Sequence, residues 1–183
     1  TVAELLTRPP QAQAAQAAEA PRPVAFMFAG GGAQYPNMGR GLYETEPVYR
    51  EAVDACLREL KTLVDFDLRP LLFCDDADIE TAASQLRRPT RTLPSLFTTQ
   101  YAQAKLWMSW GVEPQAMIGH SMGEYTAACL SGLFSLRDAL GIVALRGRLF
   151  EKVDPGAMLS VELDAADLEP LLGGRLSLAA VNA

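Results

Sequence analysis

The chain has 183 residues, of which 49% are hydrophobic and 21% charged, and its formal net charge is −6. A chain of this length and composition buries a core without a disulfide or a metal, which excludes intrinsic disorder for most of it. Its acidic balance, without a basic run, argues against nucleic acid or an anionic membrane surface as the main partner.

The N-terminal part predicts a linker followed by a strand and a helix. Residues 1–23 are rich in Ala, Gln and Pro and have little apolar periodicity, which is typical of a linker. Residues 24–28 form a short apolar run closed by three glycines, as expected for a buried parallel strand. Apolar residues then recur at helical spacing over 48–60, which predicts a helix with one buried face.

The middle of the chain predicts an alternation of helices and strands. The elements expected in chain order are a polar surface segment over 75–91, a helix opened by Pro94 and running to Trp110, a strand over 115–118, a helix over 124–130, and a helix capped by Ser135 with Asp138 and running through Phe150. Residues 158–161, 164–172 and 176–181 then predict a strand, a helix and a second strand. A unit of that size cannot bury its own faces, so we expect it to be part of a larger one.

A candidate catalytic serine lies between the second strand and its helix. Gly119, Ser121 and Gly123 match the nucleophile elbow, in which flanking glycines permit a sharp turn that presents the serine hydroxyl. The following helix directs free N–H groups at this point, so the backbone N–H of Met122 is a candidate oxyanion donor. The alternative is an ordinary turn between a strand and a helix.

The glycines after the first strand allow two further interpretations. A dinucleotide-binding turn would need a third spaced glycine where this chain has Tyr35, so we reject it. Alternatively, the backbone N–H of Gly31 is a second oxyanion donor, and a plain turn remains open.

Arg146 lies at the edge of the apolar stripe of its predicted helix and is expected to lean towards the interior. An inward guanidinium needs an anionic partner, which is either a ligand or a protein carboxylate such as Glu124.

A serine nucleophile also requires a base. His120 is the one histidine of the chain, but adjacent side chains on an elbow diverge, so it is expected to pack or orient rather than to reach Ser121. The base is therefore expected outside the 183 residues, or the serine is not catalytic. One histidine also leaves little room for a zinc centre, and no metal site is expected.

Three spaced motifs carry a family resemblance. They are Phe28-Ala29-Gly30-Gly31-Gly32-Ala33-Gln34-Tyr35 with Met38-Gly39, then Gly119-His120-Ser121-Met122-Gly123-Glu124-Tyr125, then Ala144-Leu145-Arg146-Gly147-Arg148. From about residue 24 to 183 the chain resembles the acyltransferase domain of type I polyketide synthases, of the malonyl-CoA:acyl carrier protein transacylase family. The resemblance implies an α/β fold with an α/β-hydrolase-like core and a parallel sheet (residues 24–155), followed by the start of an inserted ferredoxin-like subdomain (residues 156–183).

The resemblance implies that malonyl or substituted malonyl units pass from acyl-CoA to Ser121 and then to the phosphopantetheine thiol of an acyl carrier protein. Arg146 matches the arginine that binds the extender carboxylate. Met122 and Gly31 match the oxyanion donors, although the family carries glutamine at the position of Gly31. His120 and Leu93 are further expected substrate-binding residues, and Leu93 also stands where many members carry glutamine.

The resemblance further implies that this chain is the N-terminal part of a cytoplasmic multidomain enzyme of secondary metabolism. It would adjoin a ketosynthase domain, contain no bound cofactor, and lack the family's catalytic histidine. No run reaches the length of a spanning helix, the start lacks a signal-peptide pattern, and the three scattered cysteines suit a reducing compartment. The alternatives are a serine esterase or thioesterase, and a non-catalytic fragment or scaffold.

Overall fold

A computed structural model describes residues 23–154 and 156–181 of the chain. These residues divide into two compact units, one ending at Val153 and the other beginning at Asp154. The predicted linker, apart from Pro23, lies outside the described residues. No helix in the described part is both long enough and apolar enough to cross a membrane.

Two parallel strands form a sheet in the first unit. Strand β1 (Ala25–Phe28) pairs with β2 (Ala116–Gly119) in the register that places Phe28 opposite Gly119. This parallel pairing, in a unit made otherwise of helices, confirms the predicted α/β class. Phe28 packs on the helical side, whereas Met27 and Ile118 point the other way and are 81% and 57% exposed.

Helices fill the rest of the first unit. In chain order they are α1 (Arg40–Thr45), α2 (Pro47–Leu60), α3 (Arg69–Leu72), α4 (Ile79–Leu86), α5 (Pro89–Ser109), α6 (Gly123–Leu130) and α7 (Leu136–Phe150). Proline occupies the first turn of α2, where its missing N–H has no intrahelical acceptor to lose. The buried faces of α2, α5 and α7 meet in the main core, around Val53, Phe97 and Leu140.

One prediction for the segment before β2 is wrong. Helix α5 begins at Pro89, five residues earlier than expected, and Pro94 lies inside it and is fully buried. Both Pro89 and Pro94 suit the first turn of a helix. The helix begins at the earlier one, and the intervening Thr90 and Thr92 are buried within it. The stretch expected as a polar surface segment is mostly exposed, as predicted, and it contains α4, whose Ala82 and Leu86 are buried.

The bounds of the other predicted elements of this unit are confirmed to within one residue at each end. The expected burial of β1 is wrong, since Ala25 and Met27 are exposed and only Phe28 is buried. The start of α7 matches closely, since the hydroxyl of Ser135 accepts a hydrogen bond from the backbone N–H of Asp138 at 3.1 Å and caps the helix.

The second unit contains helix α8 (Ala165–Leu168) and 3₁₀ turns at Glu169–Leu171 and Gly173–Arg175. Residues 158–161 and 176–181, expected as strands, form no strand among the described residues. A strand needs the backbone of a neighbour for its N–H and C=O groups, and Met158 and Leu159 are both 87% exposed. The assignment of this unit to a ferredoxin-like subdomain stays a prediction.

Candidate active site

Ser121 lies in the tight turn that joins β2 to α6. Its φ of 52° places it in the left-handed region, which is uncommon for a residue with a side chain and is a mark of functional turns. The turn is closed by a hydrogen bond from the N–H of Gly123 to the carbonyl of His120 at 3.0 Å. Ser121 is exposed, so the turn presents its hydroxyl to solvent at the end of the sheet.

The glycines on either side of Ser121 are required by close approach of the backbone. A Cβ on Gly119 would lie 2.0 Å from the backbone nitrogen of Glu124, within the turn itself. A Cβ on Gly123 would lie 2.2 Å from the carbonyl oxygen of Phe28, on the neighbouring strand. The glycine spacing in the sequence therefore reflects two separate steric requirements, one inside the turn and one against β1.

The turn is also held in register with the end of β1. The N–H of His120 donates to the carbonyl of Phe28 at 2.9 Å. Just after β1, Gly30 is buried against the turn, since a Cβ there would lie 2.6 Å from Nδ1 of His120 and 3.4 Å from Cβ of Ser121. The carboxyl ends of the two strands thus form one edge, with Ser121 on it.

Arg146 reaches this edge from helix α7. Its Nη2 donates to Oγ of Ser121 at 3.1 Å, and its Nη1 donates to the hydroxyl of Tyr125 at 3.1 Å. The guanidinium carbon lies 5.3 Å from the ring centroid of Tyr125 and 5.2 Å from that of Phe150, within the range of cation–π attraction. These contacts hold the charge of Arg146 beside the serine hydroxyl.

Arg146 has no carboxylate partner among the described residues. The alternative pairing with Glu124 is wrong, because Oε1 of Glu124 accepts from the N–H of Gly119 at 2.9 Å and braces the elbow instead. A guanidinium that is half-buried and lacks an anion is suited to bind an anionic group that enters next to Ser121.

The expected oxyanion donors differ in their setting. The N–H of Met122 directly precedes α6 and finds no acceptor among the described residues, while its side chain is fully buried and anchors the turn. Gly31 is exposed in the turn after β1, and a Cβ there would approach only Thr92 Cγ2, at 3.9 Å. Gly30, rather than Gly31, is the glycine in contact with the elbow, and the oxyanion role of Gly31 stays a prediction.

The two further expected binding residues lie in different surroundings. His120 is exposed, and its ring makes no hydrogen bond to Ser121. Leu93 is 8% exposed and packs in the main core within α5. A substrate-binding role for either stays a prediction. In the described part, no cluster of three or more histidine, cysteine or acidic side chains is placed to hold a metal ion.

The sequence reasoning missed Tyr125 and Phe150 as site residues. Each lies four positions after a residue it did select, since Tyr125 follows Ser121 and Phe150 follows Arg146. Arg146 and Phe150 share one face of α7, so this spacing was the available signal for Phe150. Ser121 lies in the turn before α6, so no helical spacing pointed to Tyr125.

Comparison with known proteins agrees with this geometry. The sequence model of the family described as "Acyl transferase domain" matches residues 25–183. A phenolphthiocerol/phthiocerol polyketide synthase subunit of Mycobacterium tuberculosis is 42% identical over 159 residues, which are 87% of this chain and 10% of that protein. The chain belongs to the acyltransferase domain family.

Solved structures give the same result. The acyltransferase domain of ZmaA superposes with a TM-score of 0.75 at 43% identity, covering 82% of this chain and 34% of that one. The malonyl CoA-acyl carrier protein transacylase from Clostridium perfringens superposes with a TM-score of 0.63 at 29% identity, covering 74% of this chain and 40% of that one. The chain therefore spans about a third of the solved acyltransferase domain and a tenth of the mycobacterial synthase protein.

Proposed function

We propose that this chain supplies the nucleophile and the carboxylate-binding residue of an acyltransferase that loads malonyl or substituted malonyl units onto an acyl carrier protein. The observation that carries the proposal is the contact between Nη2 of Arg146 and Oγ of Ser121. It puts an arginine without a carboxylate partner in the described residues next to an elbow serine. Such a pair suits an acyl group that carries its own carboxylate.

In the first half-reaction, Oγ of Ser121 attacks the thioester carbonyl of the acyl-CoA. A bond forms from Oγ to the carbonyl carbon, and the C–S bond breaks as coenzyme A leaves as a thiol. The serine proton passes to a general base, a role that no described side chain in contact with Oγ fills. The base returns this proton to the departing coenzyme A sulfur. In the second half-reaction, the phosphopantetheine sulfur bonds to the acyl carbon as its proton passes to the base, the C–Oγ bond breaks, and the base returns the proton to Oγ.

The negative charge that develops on the carbonyl oxygen needs fixed donors. The N–H of Met122 is available for this, because it precedes α6 and has no acceptor within residues 23–154 and 156–181. A donor already in place stabilises the tetrahedral intermediate without reorganisation. Gly31 would contribute the second N–H of this oxyanion hole.

Arg146 would select the substrate by its carboxylate. A guanidinium forms two parallel hydrogen bonds with a carboxylate, and the rings of Tyr125 and Phe150 on it limit competition from water. Neutral acyl groups leave that charge without a partner, so they would load less well. A serine esterase of neutral acyl chains would have no use for this residue.

The relatives support the wider setting of the proposal. One is named as part of a polyketide synthase and another as a malonyl CoA-acyl carrier protein transacylase. We therefore propose an acyl carrier protein as the partner, a ketosynthase domain on the same polypeptide and a cytoplasmic location. We propose no metal or bound cofactor, since an oxygen nucleophile and backbone donors supply the chemistry.

The test is covalent loading, measured by mass spectrometry of the peptide that contains Ser121. The intact natural polypeptide that carries this sequence is incubated with malonyl-CoA or acetyl-CoA. We expect a malonyl adduct on Ser121 that disappears in Ser121→Ala. In Arg146→Ala, malonyl loading should fall at least about tenfold while acetyl loading rises relative to it.

Arg148→Ala is the matched control, since Arg148 lies on the same helix but its Nη1 donates to the carbonyl of Leu63, away from the serine. Its loading should match that of the wild type. Absence of any adduct would favour a non-catalytic scaffold, and hydrolysis of neutral esters without malonyl selectivity would favour an esterase. Unchanged malonyl loading in Arg146→Ala would contradict the role of Arg146.

A further inference from the structure

The fold builds a second tyrosine–arginine pair, away from the site, and this pair holds a carboxylate. Nη1 of Arg69 donates to the hydroxyl of Tyr43, and Nη2 of Arg69 donates to Oδ1 of Asp54 at 2.6 Å. The hydroxyl of Tyr43 donates to the same Oδ1 at 3.0 Å. One carboxylate oxygen is thus bound by the guanidinium and the phenol together.

The pair at the active site has the same arrangement up to the carboxylate. Nη1 of Arg146 donates to the hydroxyl of Tyr125, and the guanidinium lies 5.3 Å from the tyrosine ring, against 5.6 Å for Arg69 and Tyr43. The difference is at Nη2, which faces Oγ of Ser121 where Arg69 faces Asp54. The position that a carboxylate fills in one pair is next to the nucleophile in the other.

The hydrogen of the Tyr125 hydroxyl is not used in this arrangement. The oxygen accepts from Arg146, but the hydroxyl donates to no acceptor among the described residues. A phenol has one hydrogen to donate, and in the second pair that hydrogen goes to Asp54. A donor therefore remains at Tyr125, beside the guanidinium that lacks an anion.

We propose that Tyr125 binds the substrate carboxylate directly, its hydroxyl donating to the same carboxylate that Arg146 holds. This inference rests on the proposed function, because it assigns a second contact to the acyl group that Ser121 accepts. Tyr125 would add to selectivity for dicarboxylic acyl groups in two ways. It supplies a hydrogen bond to the charged oxygen, and it fixes the plane of the guanidinium through Nη1 and the ring.

The test is Tyr125→Phe in the intact natural polypeptide, which keeps the ring and removes only the hydroxyl. Hydrogen bonds to charged groups are worth enough to change an equilibrium about tenfold or more. We expect the ratio of kcat/KM for malonyl-CoA to that for acetyl-CoA to fall about tenfold, mainly through a higher KM for malonyl-CoA. A merely structural role would lower kcat/KM equally for both substrates and leave their ratio unchanged. That result would overturn the proposal.

Tyr43→Phe is the matched control, since it removes the equivalent hydroxyl from the pair that already holds Asp54. It should leave the substrate ratio at the wild-type value. In an Arg146→Ala background, Tyr125→Phe should change the ratio much less than in the wild type. Without the guanidinium, the substrate carboxylate is no longer held beside Tyr125. Equal effects in both backgrounds would also overturn the proposal.

These outcomes separate the two proposals. If wild-type Ser121 gains no malonyl group, the proposed function fails. If it does, and Arg146→Ala loses selectivity while Tyr125→Phe keeps it, only the role of Tyr125 fails.

Discussion

Arg146 donates from Nη2 to Oγ of Ser121 across 3.1 Å, from a helix that begins 15 residues after the serine. The hydroxyl acts as the acceptor in this contact, so its own hydrogen is free to turn towards a base. A carboxylate arriving at Arg146 would compete for Nη2. In the proposed function, recognition of the substrate carboxylate and orientation of the Ser121 hydroxyl would therefore share one hydrogen-bond donor.

The left-handed backbone of Ser121 should make glycine a better fit than alanine at this position. Both Ser121→Gly and Ser121→Ala lose the hydroxyl, so their comparison isolates the backbone, and φ of 52° strains alanine but not glycine. We expect the glycine variant to have the higher free energy of unfolding by about 1 kcal/mol, measured by chemical denaturation. At Ser84, an exposed residue inside α4, the order should reverse, because glycine weakens a helix interior. The same order at both sites would contradict the strain at the elbow.

Gly123→Ala should disrupt the junction between the elbow and β1. The added methyl would lie 2.2 Å from the carbonyl oxygen of Phe28, which belongs to the backbone and cannot rotate away. We expect a loss of about 2–4 kcal/mol of stability, in the range of severe steric substitutions, seen as a lower denaturation midpoint. The control is Gly141→Ala in α7, where a Cβ meets nothing within 4 Å and alanine should stabilise the helix. Equal effects of the two variants would rule out the clash.

Asp54 should make the stability of the fold depend on pH in the acid range. Partial burial by itself raises the pKa of the Asp54 carboxyl, but the donors from Arg69 and Tyr43 outweigh this effect and hold the pKa below its usual value. A carboxyl with a lowered pKa in the folded state contributes stability above its unfolded pKa, and this contribution is lost as the pH falls through the folded pKa.

The wild type should therefore exceed Asp54→Asn in free energy of unfolding by up to about 1 kcal/mol near pH 7, a value that allows for the partial exposure of the pair. The gap should narrow as the pH falls below the ordinary pKa of an aspartate, and it should close once the pH is below the lowered folded pKa, where the carboxyl is protonated in both states. Denaturation at several pH values measures this gap. A gap that is constant with pH would show that Asp54 stabilises the fold through packing and not through its charge.

The three cysteines should be inert while the protein is folded. Cys56 is fully buried and burial raises the pKa of its thiol to about 12, while burial also raises the pKa of Cys129. Cys74 is 5% exposed. Since the thiolate is the reactive form, alkylation by N-ethylmaleimide near pH 7, read by peptide mass spectrometry, should leave all three unmodified until denaturant is added. Rapid labelling of Cys56 in the folded protein would contradict its burial.

The sequence was sufficient where one local rule governed an element. The apolar spacing of α2, the cap at Ser135 and the glycines around Ser121 each predicted a feature that the structure contains. The start of α5 was mispredicted because both Pro89 and Pro94 satisfy the rule for a helix start. The difference between them is the burial of most residues from Thr90 to Pro94 against the rest of the fold, which the local sequence does not show. The strands expected after residue 156 depended on partners that a local pattern does not supply.

At the site, the sequence could identify Ser121 and the inward lean of Arg146, but not what Arg146 contacts. Helical geometry gives the direction of a side chain, and the choice between Glu124 and another partner depends on distances across the fold. In the structure, the carboxylate of Glu124 accepts from the N–H of Gly119, and the hydroxyl of Tyr125 accepts from Arg146. Local spacing was consistent with both arrangements, so the pairing came only from the packing of α6 against α7.

The contacts of Phe28 with the elbow have a consequence for the order of folding. The hydrogen bond to His120 and the close approach of Gly123 join segments about ninety residues apart. The loop between them must close before these contacts stabilise the strained serine. A nascent chain that has not yet emerged past residue 123 thus has neither the paired strands nor the shaped turn, and the geometry at Ser121 arises only when both strands have paired.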